Sequence, residues 1–292
     1  MPLKTVLITG CGPGGIGSAL ATEFHMRGHR VFATDISADL AHLQDRGIET
    51  LALDVTSESS IEEAAAHISK LTGGKLDILI NNAGVLHAMP FADLDVAAAR
   101  RLFDVNVLGV VAVTKTFLPL LLAVAATKKD ALAGGGGGDP IVANVCSVNS
   151  EIRPPFFGIY NASKAAVEVL SASIRPELAP FGVRVVTIKT GSINTELFRN
   201  APPTRLPEES LYRPVKEFIE GRKMLEKASY MEPEVYAKNV VDELLRASVK
   251  RVIWQGGLTT FAWILSWFGW EGMMDGIYIR ENKLDKCAVR ST

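Results

Sequence analysis

Cysteine is scarce in this 292-residue chain. Its three copies, Cys11, Cys146 and Cys287, have neither metal-ligand spacing nor the pairing pattern of a disulfide framework. That excludes a zinc ribbon or a cystine-stapled scaffold and implies free thiols in a reducing compartment, the cytoplasm. An excess of one charge is equally lacking. Lys and Arg number 31 against 32 Asp and Glu, a formal net charge of -1, so no nucleic-acid surface is expected. Residues 1–10 lack the charged, apolar and cleavage regions of a secretory signal, and neither end carries a lipidation motif. The densest aromatic and aliphatic run, residues 258–270 (LTTFAWILSWFGW), is 13 residues long. That is shorter than the ~20 a membrane-spanning helix needs. Three roles stay open to it: packing in the core or between subunits, a hydrophobic wall at a substrate entrance, or contact with a membrane surface.

What is present is ample apolar material, 48% of residues, enough for the core of a single domain spanning residues 1–292. Short apolar runs read as strands at 5–9 (TVLIT), 31–34, 50–53, 76–80 (LDILI), 141–145 and 183–188 (VRVVTI). Helical periodicity lies between them: from the first glycine-rich turn to Gly28, over 59–71 behind an N-cap at Thr56 or Ser57, over 94–126, and over 162–178. Continuous apolar strands are buried on both faces. Alternating with helices, they require right-handed crossovers and a doubly wound, Rossmann-like parallel sheet with helices on both sides. The five-glycine run Gly134–Gly138 is expected to be a mobile surface insertion without function.

The first strand runs into Gly10-Cys11-Gly12-Pro13-Gly14-Gly15-Ile16-Gly17, which contains G-x-G-x-x-G as Gly10, Gly12 and Gly15. Glycines permit a tight turn and let backbone N–H groups approach a pyrophosphate, whose charge the helix N-terminus then stabilises. Asp35 ends the second strand, 20 residues after Gly15. A carboxylate there accepts ribose hydroxyls of NAD and repels the 2′-phosphate of NADP. At about 4 Å and intermediate dielectric such a pair interacts by roughly 1–4 kcal/mol, about tenfold or more in affinity. No Lys or Arg follows in the turn, so NAD is favoured and NADP stays open. Asp35 as a simple turn residue is the competing reading.

Further motifs follow in order: Asp54-Val55 after the third strand, Asn81-Asn82-Ala83-Gly84 after the fourth, Asp104-Val105-Asn106, Ser147 after the fifth strand, and Tyr160-Asn161-Ala162-Ser163-Lys164. An isolated Tyr-x-x-x-Lys is most often a solvated helix face. Jointly, over residues 3–200, these motifs resemble the short-chain dehydrogenases/reductases, with their N-N-A-G segment and Asn–Ser–Tyr–Lys tetrad. The resemblance implies an enzyme that moves hydride between a nicotinamide cofactor and a secondary alcohol or ketone. In that reading Tyr160 is the general acid/base and Ser147 holds the reacting oxygen. Lys164 steadies the phenolate and the nicotinamide ribose, and Asn106 positions a proton-relaying water. Spacing i, i+4 places Lys164 on the helix face of Tyr160, and a nearby cation favours the phenolate of a group whose ordinary pKa is about 10. The family implies nucleotide contacts from Gly10, Gly12, Gly15, Ile16, Gly17, Asp35, Asp54, Val55, Asn82, Ala83, Gly84, Ile193 and Thr195, beside Tyr160 and Lys164. It also implies subunit pairing through residues 97–122 and 162–178, hence a homo-oligomer.

Two departures stand out. The family turn is T-G-x-x-x-G-x-G, whereas four residues separate Gly10 from Gly15 here, and Lys189-Thr190-Gly191 stands where the family has P-G. Residues 196–230, with Pro202, Pro203, Pro207 and Pro214, fit a substrate lid. Arg153, Phe156 and Phe157 lie close enough to Tyr160 in sequence to line the pocket or to pack under the lid. The Pro13-bearing turn, Val31-Phe32-Ala33-Thr34 and the aromatic run after Trp254-Gln255-Gly256-Gly257 look like the fungal acyl-dihydroxyacetone-phosphate reductase-like subgroup. That likeness implies a hydrophobic small-molecule substrate and a place in secondary metabolism. Two other classes remain open on sequence: a non-catalytic binding protein, and a pocket used for non-redox chemistry such as a cyclisation.

Overall fold

The strands assemble into one seven-stranded, all-parallel sheet in the order β3-β2-β1-β4-β5-β6-β7. They are β1 Thr5–Thr9, β2 Arg30–Asp35, β3 Glu49–Ala52, β4 Ile78–Asn81, β5 Ile141–Ser147, β6 Arg184–Thr190 and β7 Val252–Gln255. The computed structural model describes residues 3–37, 40–130, 139–197, 203–226 and 229–287. The glycine run 134–138 and Pro202 lie outside the described residues.

Side chains alternate across each strand, so one apolar run feeds two cores. Val6 and Ile8 of β1 face α1 (Ile16–Met26) and α9 (Pro233–Leu244), packing with Leu20, Phe24, Tyr236 and Val240. Leu7 faces α3 (Glu58–Thr72) and α5 (Gly109–Asp130), packing with Ile61, Ile68, Val113 and Phe117. Between α1 and α3 lies the short α2 (Ala41–Gln44). Ser57 is the N-cap of α3, its side chain accepting from the Ser60 N–H. Layers of helix on both faces of a parallel sheet are what the alternation required.

Two readings of the sequence change, and a third, that 94–126 is one or two long helices, becomes definite. β4 begins at Ile78 rather than Leu76, because Leu76 donates its N–H to Leu120 of α5 and the Asp77 carboxylate accepts from Thr5. β7 was not anticipated: it is four residues long, half-buried at the sheet edge and followed by two glycines. The 94–126 segment is two helices, α4 (Val96–Phe103, capped by Asp95) and α5, joined by a π-helical turn, Asp104–Leu108. The stretch 96–127 is long and apolar enough to cross a membrane, but Val113, Phe117 and Leu121 lie fully buried against the sheet.

Residues 258–270 form no core of this chain. In α10 (Thr259–Phe268) Ala262 is the one buried residue, while Trp267 is 71% and Phe268 75% exposed. The helix follows β7 at the sheet edge, so only its inner face meets α6 (Asn149–Ile152). The described part of the lid folds into short turns and α8 (Lys216–Glu220). There Leu206, Val215 and Ile219 pack around Phe156 with Leu284 and Cys287.

Candidate active site

Strand order reverses between β1 and β4, so a crevice opens over their carboxyl ends, where open α/β sheets bind ligands. A cavity of about 820 Å³ fills that place. Every site residue assigned from the sequence lines it except Gly17 and Asn106.

The glycines divide into two kinds. A Cβ on Gly17 would lie 2.2 Å from the Gly10 carbonyl oxygen and 2.7 Å from Asn82 Nδ2, so Gly17 serves packing. Gly10 has φ 72°, and a Cβ there would meet Ala83 Cα at 2.7 Å. Gly12 has room toward the cavity, its nearest neighbour being Asp35 Oδ2 at 3.4 Å. The additional turn residue brings Gly14 against Glu196 at the start of the lid. Gly15 is the N-cap of α1 and no side chain caps the helix, which leaves its first N–H groups to face an anion.

Thr9, which the sequence reading passed over, ties this turn to β4. Its Oγ1 accepts from the N–H of Asn82 (3.1 Å) and of Ala83 (3.0 Å), while Asn82 Nδ2 donates to the carbonyls of Thr9 (2.9 Å) and Gly10 (2.8 Å). Its signal was the Thr of T-G in the family pattern. Asp35 Oδ1 accepts from the Ile36 N–H at 2.8 Å. Asp54 Oδ1 accepts from the N–H and hydroxyl of Thr56 at 2.9 and 2.7 Å, so a local turn orients that carboxylate. The donors of the turn and helix end, with a carboxylate at the end of β2, fit a dinucleotide.

Tyr160 and Lys164 sit one turn apart and buried on α7 (Gly158–Leu178), facing Ser147 at the end of β5. Lys164 Nζ lies 5.9 Å from the Tyr160 ring centre and donates to the Val145 carbonyl at 3.0 Å. Burial pushes the Tyr160 phenol up to about 12, opposed by its hydrogen bond with Ser147. Burial likewise lowers the Lys164 ammonium. In the protein alone desolvation therefore sets the direction of the phenol's shift, opposite to the lowering expected from Lys164.

Asn106 lies in the π turn, a geometry frequent at functional sites. Its Oδ1 accepts from the Val85 N–H (2.8 Å), and its Nδ2 donates to the Val85 carbonyl (3.0 Å) and to Ser163 Oγ (3.1 Å). Ser163 in turn donates to the Tyr160 carbonyl at 2.8 Å. Asn106 thus clamps the backbone after Gly84 to the helix that carries Tyr160. A Cβ on Gly84 would approach both Asn106 Oδ1 (3.3 Å) and Lys164 Nζ (3.4 Å). Behind them Asn81 donates to Thr114 and Asn144, and Asn144 to Ser171, a buried chain that joins β4, β5, α5 and α7.

Lys189, in the Lys189-Thr190-Gly191 segment that stands where the family has P-G, is 4% exposed. It pairs with Glu151 and with Glu168 (2.5 Å), and its ammonium lies 4.8 Å from the Trp254 ring centre. Of the three residues proposed near the substrate, Phe157 lines the cavity. Phe156 packs under the lid, and Arg153 pairs with Glu271 at 2.9 Å on the surface. The sequence reading missed the wall that α11 (Asp275–Glu281) contributes through Ile277 and Tyr278. Nothing in the local pattern distinguishes those positions.

A family model described as short chain dehydrogenase matches residues 4–206. The short-chain dehydrogenase PC-15 of Penicillium crustosum is 41% identical over 270 residues, covering 91% of this chain and 93% of its own. The short-chain dehydrogenase fogD of Aspergillus ruber is 36% identical over 287 residues, covering 98% and 96%. A solved short-chain dehydrogenase from Streptomyces avermitilis superposes with a TM-score of 0.74 at 25% identity, covering 98% of this chain and 97% of that one.

Proposed function

The chain belongs to the short-chain dehydrogenase family, whose members bind NAD or NADP, and from that premise we propose that this dehydrogenase interconverts a hydrophobic secondary alcohol and its ketone. One observation carries the reading: Tyr160, Lys164 and Ser147 meet on the wall of the cavity that the glycine turn and Asp35 also line. A nicotinamide cofactor supplies or accepts the hydride. In reduction the Tyr160 hydroxyl gives its proton to the carbonyl oxygen, which Ser147 steadies by hydrogen bonding; in oxidation the Tyr160 phenolate takes it back. Lys164 favours that phenolate, and Asn106 acts as a positioning residue through Val85 and Ser163. A water held near Asn106 that relays protons through Lys164 is part of the same proposal.

The cofactor proposed is NAD, on the carboxylate of Asp35 beside Ile36. Within the family we place the chain in the fungal acyl-dihydroxyacetone-phosphate reductase-like subgroup and in secondary metabolism, on the Pro13-bearing turn and the aromatic run 258–270. We further propose one domain over residues 1–292, a cytoplasmic location and a homo-oligomer. The apolar residues Leu108, Val111 and Val169, exposed along 97–122 and 162–178, support the pairing. Exposed Trp263, Trp267 and Trp270 support contact of 258–270 with a membrane surface. Liposome sedimentation tests that contact, and its absence with and without anionic lipid removes it.

The decisive assay follows nicotinamide absorbance with NADH and NADPH against a panel of apolar ketones, for the wild type and Tyr160→Phe. Turnover that disappears in the variant while nucleotide binding persists supports the reading. Near-normal turnover in the variant overturns the role of Tyr160. No turnover with either cofactor returns the choice to a binding protein or non-redox chemistry.

A further inference from the structure

The cavity is larger than the nucleotide-facing residues account for, and its second half is built differently. Phe157, Phe218, Met224, Leu225, Leu258 and Tyr278 wall it. Five of these six lie beyond residue 206, where the family match ends. The hydride chemistry thus sits on the shared part of the chain, and the rest of the substrate meets a part that the family model does not describe. Charged groups on this half cancel in sign. Lys223 and Lys283 are matched by Glu226 and Glu281, and the Lys283 ammonium lies 5.3 Å from the Phe218 ring centre. Among the described residues no cationic cluster offers itself to a phosphate or carboxylate, which favours an uncharged guest.

The C-terminal part of this wall is fixed at both ends. The Tyr278 hydroxyl donates to the carbonyl of Ile152, which ends α6 just beyond Ser147 and itself lines the cavity. Glu271 pairs with the neighbouring Arg153 at 2.9 Å, and Asn282 Nδ2 donates to the Tyr278 carbonyl at 2.9 Å. Further on, Leu284 and Cys287 join the lid core around Phe156, Leu206 and Ile219. Helix α11 therefore bridges the substrate side of α6 and the lid, and its Tyr278 ring and Ile277 side chain face the cavity between them. Ile277 is 44% exposed and stands at the mouth.

We propose that Ile277 and Tyr278 are specificity-determining residues: α11 sets the size limit of the substrate and admits an uncharged, bulky apolar group beside the reacting carbonyl. This rests on the oxidoreductase reading above, since it assigns the far half of that site.

The test measures equilibrium binding by calorimetry to the nucleotide-loaded holoenzyme, with acetophenone, 2-acetylnaphthalene and 4-acetylbenzoate as probes. The wild type should bind 2-acetylnaphthalene tighter than the anionic 4-acetylbenzoate by about tenfold or more. In Ile277→Trp, a change at an exposed position that spares the fold, 2-acetylnaphthalene should weaken by about tenfold or more while acetophenone and the nucleotide hold. Tyr278→Ala should narrow the preference between the two ketones by widening the site. Equal affinities in the wild type and Ile277→Trp overturn the proposal, as does a wild type that binds no 2-acetylnaphthalene. Ketone binding with this pattern but without turnover keeps the wall and removes the reaction. Turnover with an unchanged size profile in Ile277→Trp does the reverse.

Discussion

Consider an alanine at Gly17 and, separately, at Gly12. At Gly17 the new Cβ lies 2.2 Å from the Gly10 carbonyl oxygen and 2.7 Å from Asn82 Nδ2. Neither is the free end of a flexible side chain, because Asn82 Nδ2 is held by the carbonyls of Thr9 and Gly10. The start of α1 or the end of β4 must move. Overpacking costs about 1–3 kcal/mol, and the two hydrogen bonds contribute about 0.5–1.5 kcal/mol each, so the loss is about 2–6 kcal/mol. At roughly 2–4 °C per kcal/mol for a large domain, the apparent Tm should fall by several degrees or more. At Gly12 the Cβ meets only Asp35 Oδ2, at 3.4 Å, and the backbone is outside the left-handed region. Alanine there should leave stability unchanged or raise it by about 0.4–1 kcal/mol through the unfolded chain. The methyl group would instead occupy space beside the turn proposed to hold the cofactor's phosphates. Loss of one charge-assisted hydrogen bond, about 1.5–3 kcal/mol, weakens nucleotide binding by about ten- to a hundredfold. Thermal unfolding by circular dichroism and titration of NADH fluorescence read the two effects separately. A Gly17→Ala protein with wild-type Tm, or a Gly12→Ala protein with wild-type nucleotide affinity, would refute the division of these glycines.

Stability should decline in alkali. The Tyr160 and Tyr278 phenols rise from 10 to about 12 on folding, so their contribution is complete below pH 10 and is lost as pH rises through about 12. Denaturant midpoints measured across that window should fall and should fall less steeply in Tyr160→Phe; a flat profile contradicts it. Lys189→Met leaves Glu151 and Glu168 converging without their cation. Because both carboxylates are partly exposed, the cost should be nearer 2 kcal/mol than the ~3–5 of a fully buried pair, read as a lower urea midpoint. Asp35→Ser should reduce the preference for NADH over NADPH by about tenfold or more, measured as a ratio of dissociation constants; an unchanged ratio rejects Asp35 as the selector.

The sheet class was legible along the chain because it is an evenly spaced signal. The members of the Asn–Ser–Tyr–Lys set were picked out by the family resemblance, with spacing adding only the shared face of Tyr160 and Lys164. Apolar runs mark buried strands wherever they pair, and Tyr160 and Lys164 share a helix face by spacing alone. The glycine turn was legible as a turn, but its division was not. That Gly17 packs against Gly10 while Gly12 faces the cavity depends on Asn82, brought in by β4.

Other features were decided only by what the folded chain brings together. The π turn aims Asn106 at Val85 and Ser163 rather than at the cavity. Burial, not the neighbouring ammonium, sets the direction in which the Tyr160 phenol shifts. The run 258–270 has the composition of a core segment, yet its helix follows an edge strand and keeps its aromatic side chains exposed. Tyr278 reaches Ile152 across 126 residues. Periodicity and spacing encode which face a residue occupies on its own element, so they reach the helix of Tyr160 and Lys164 and the strands. Which element faces which is a property of long-range packing, and that packing placed the far wall of the cavity.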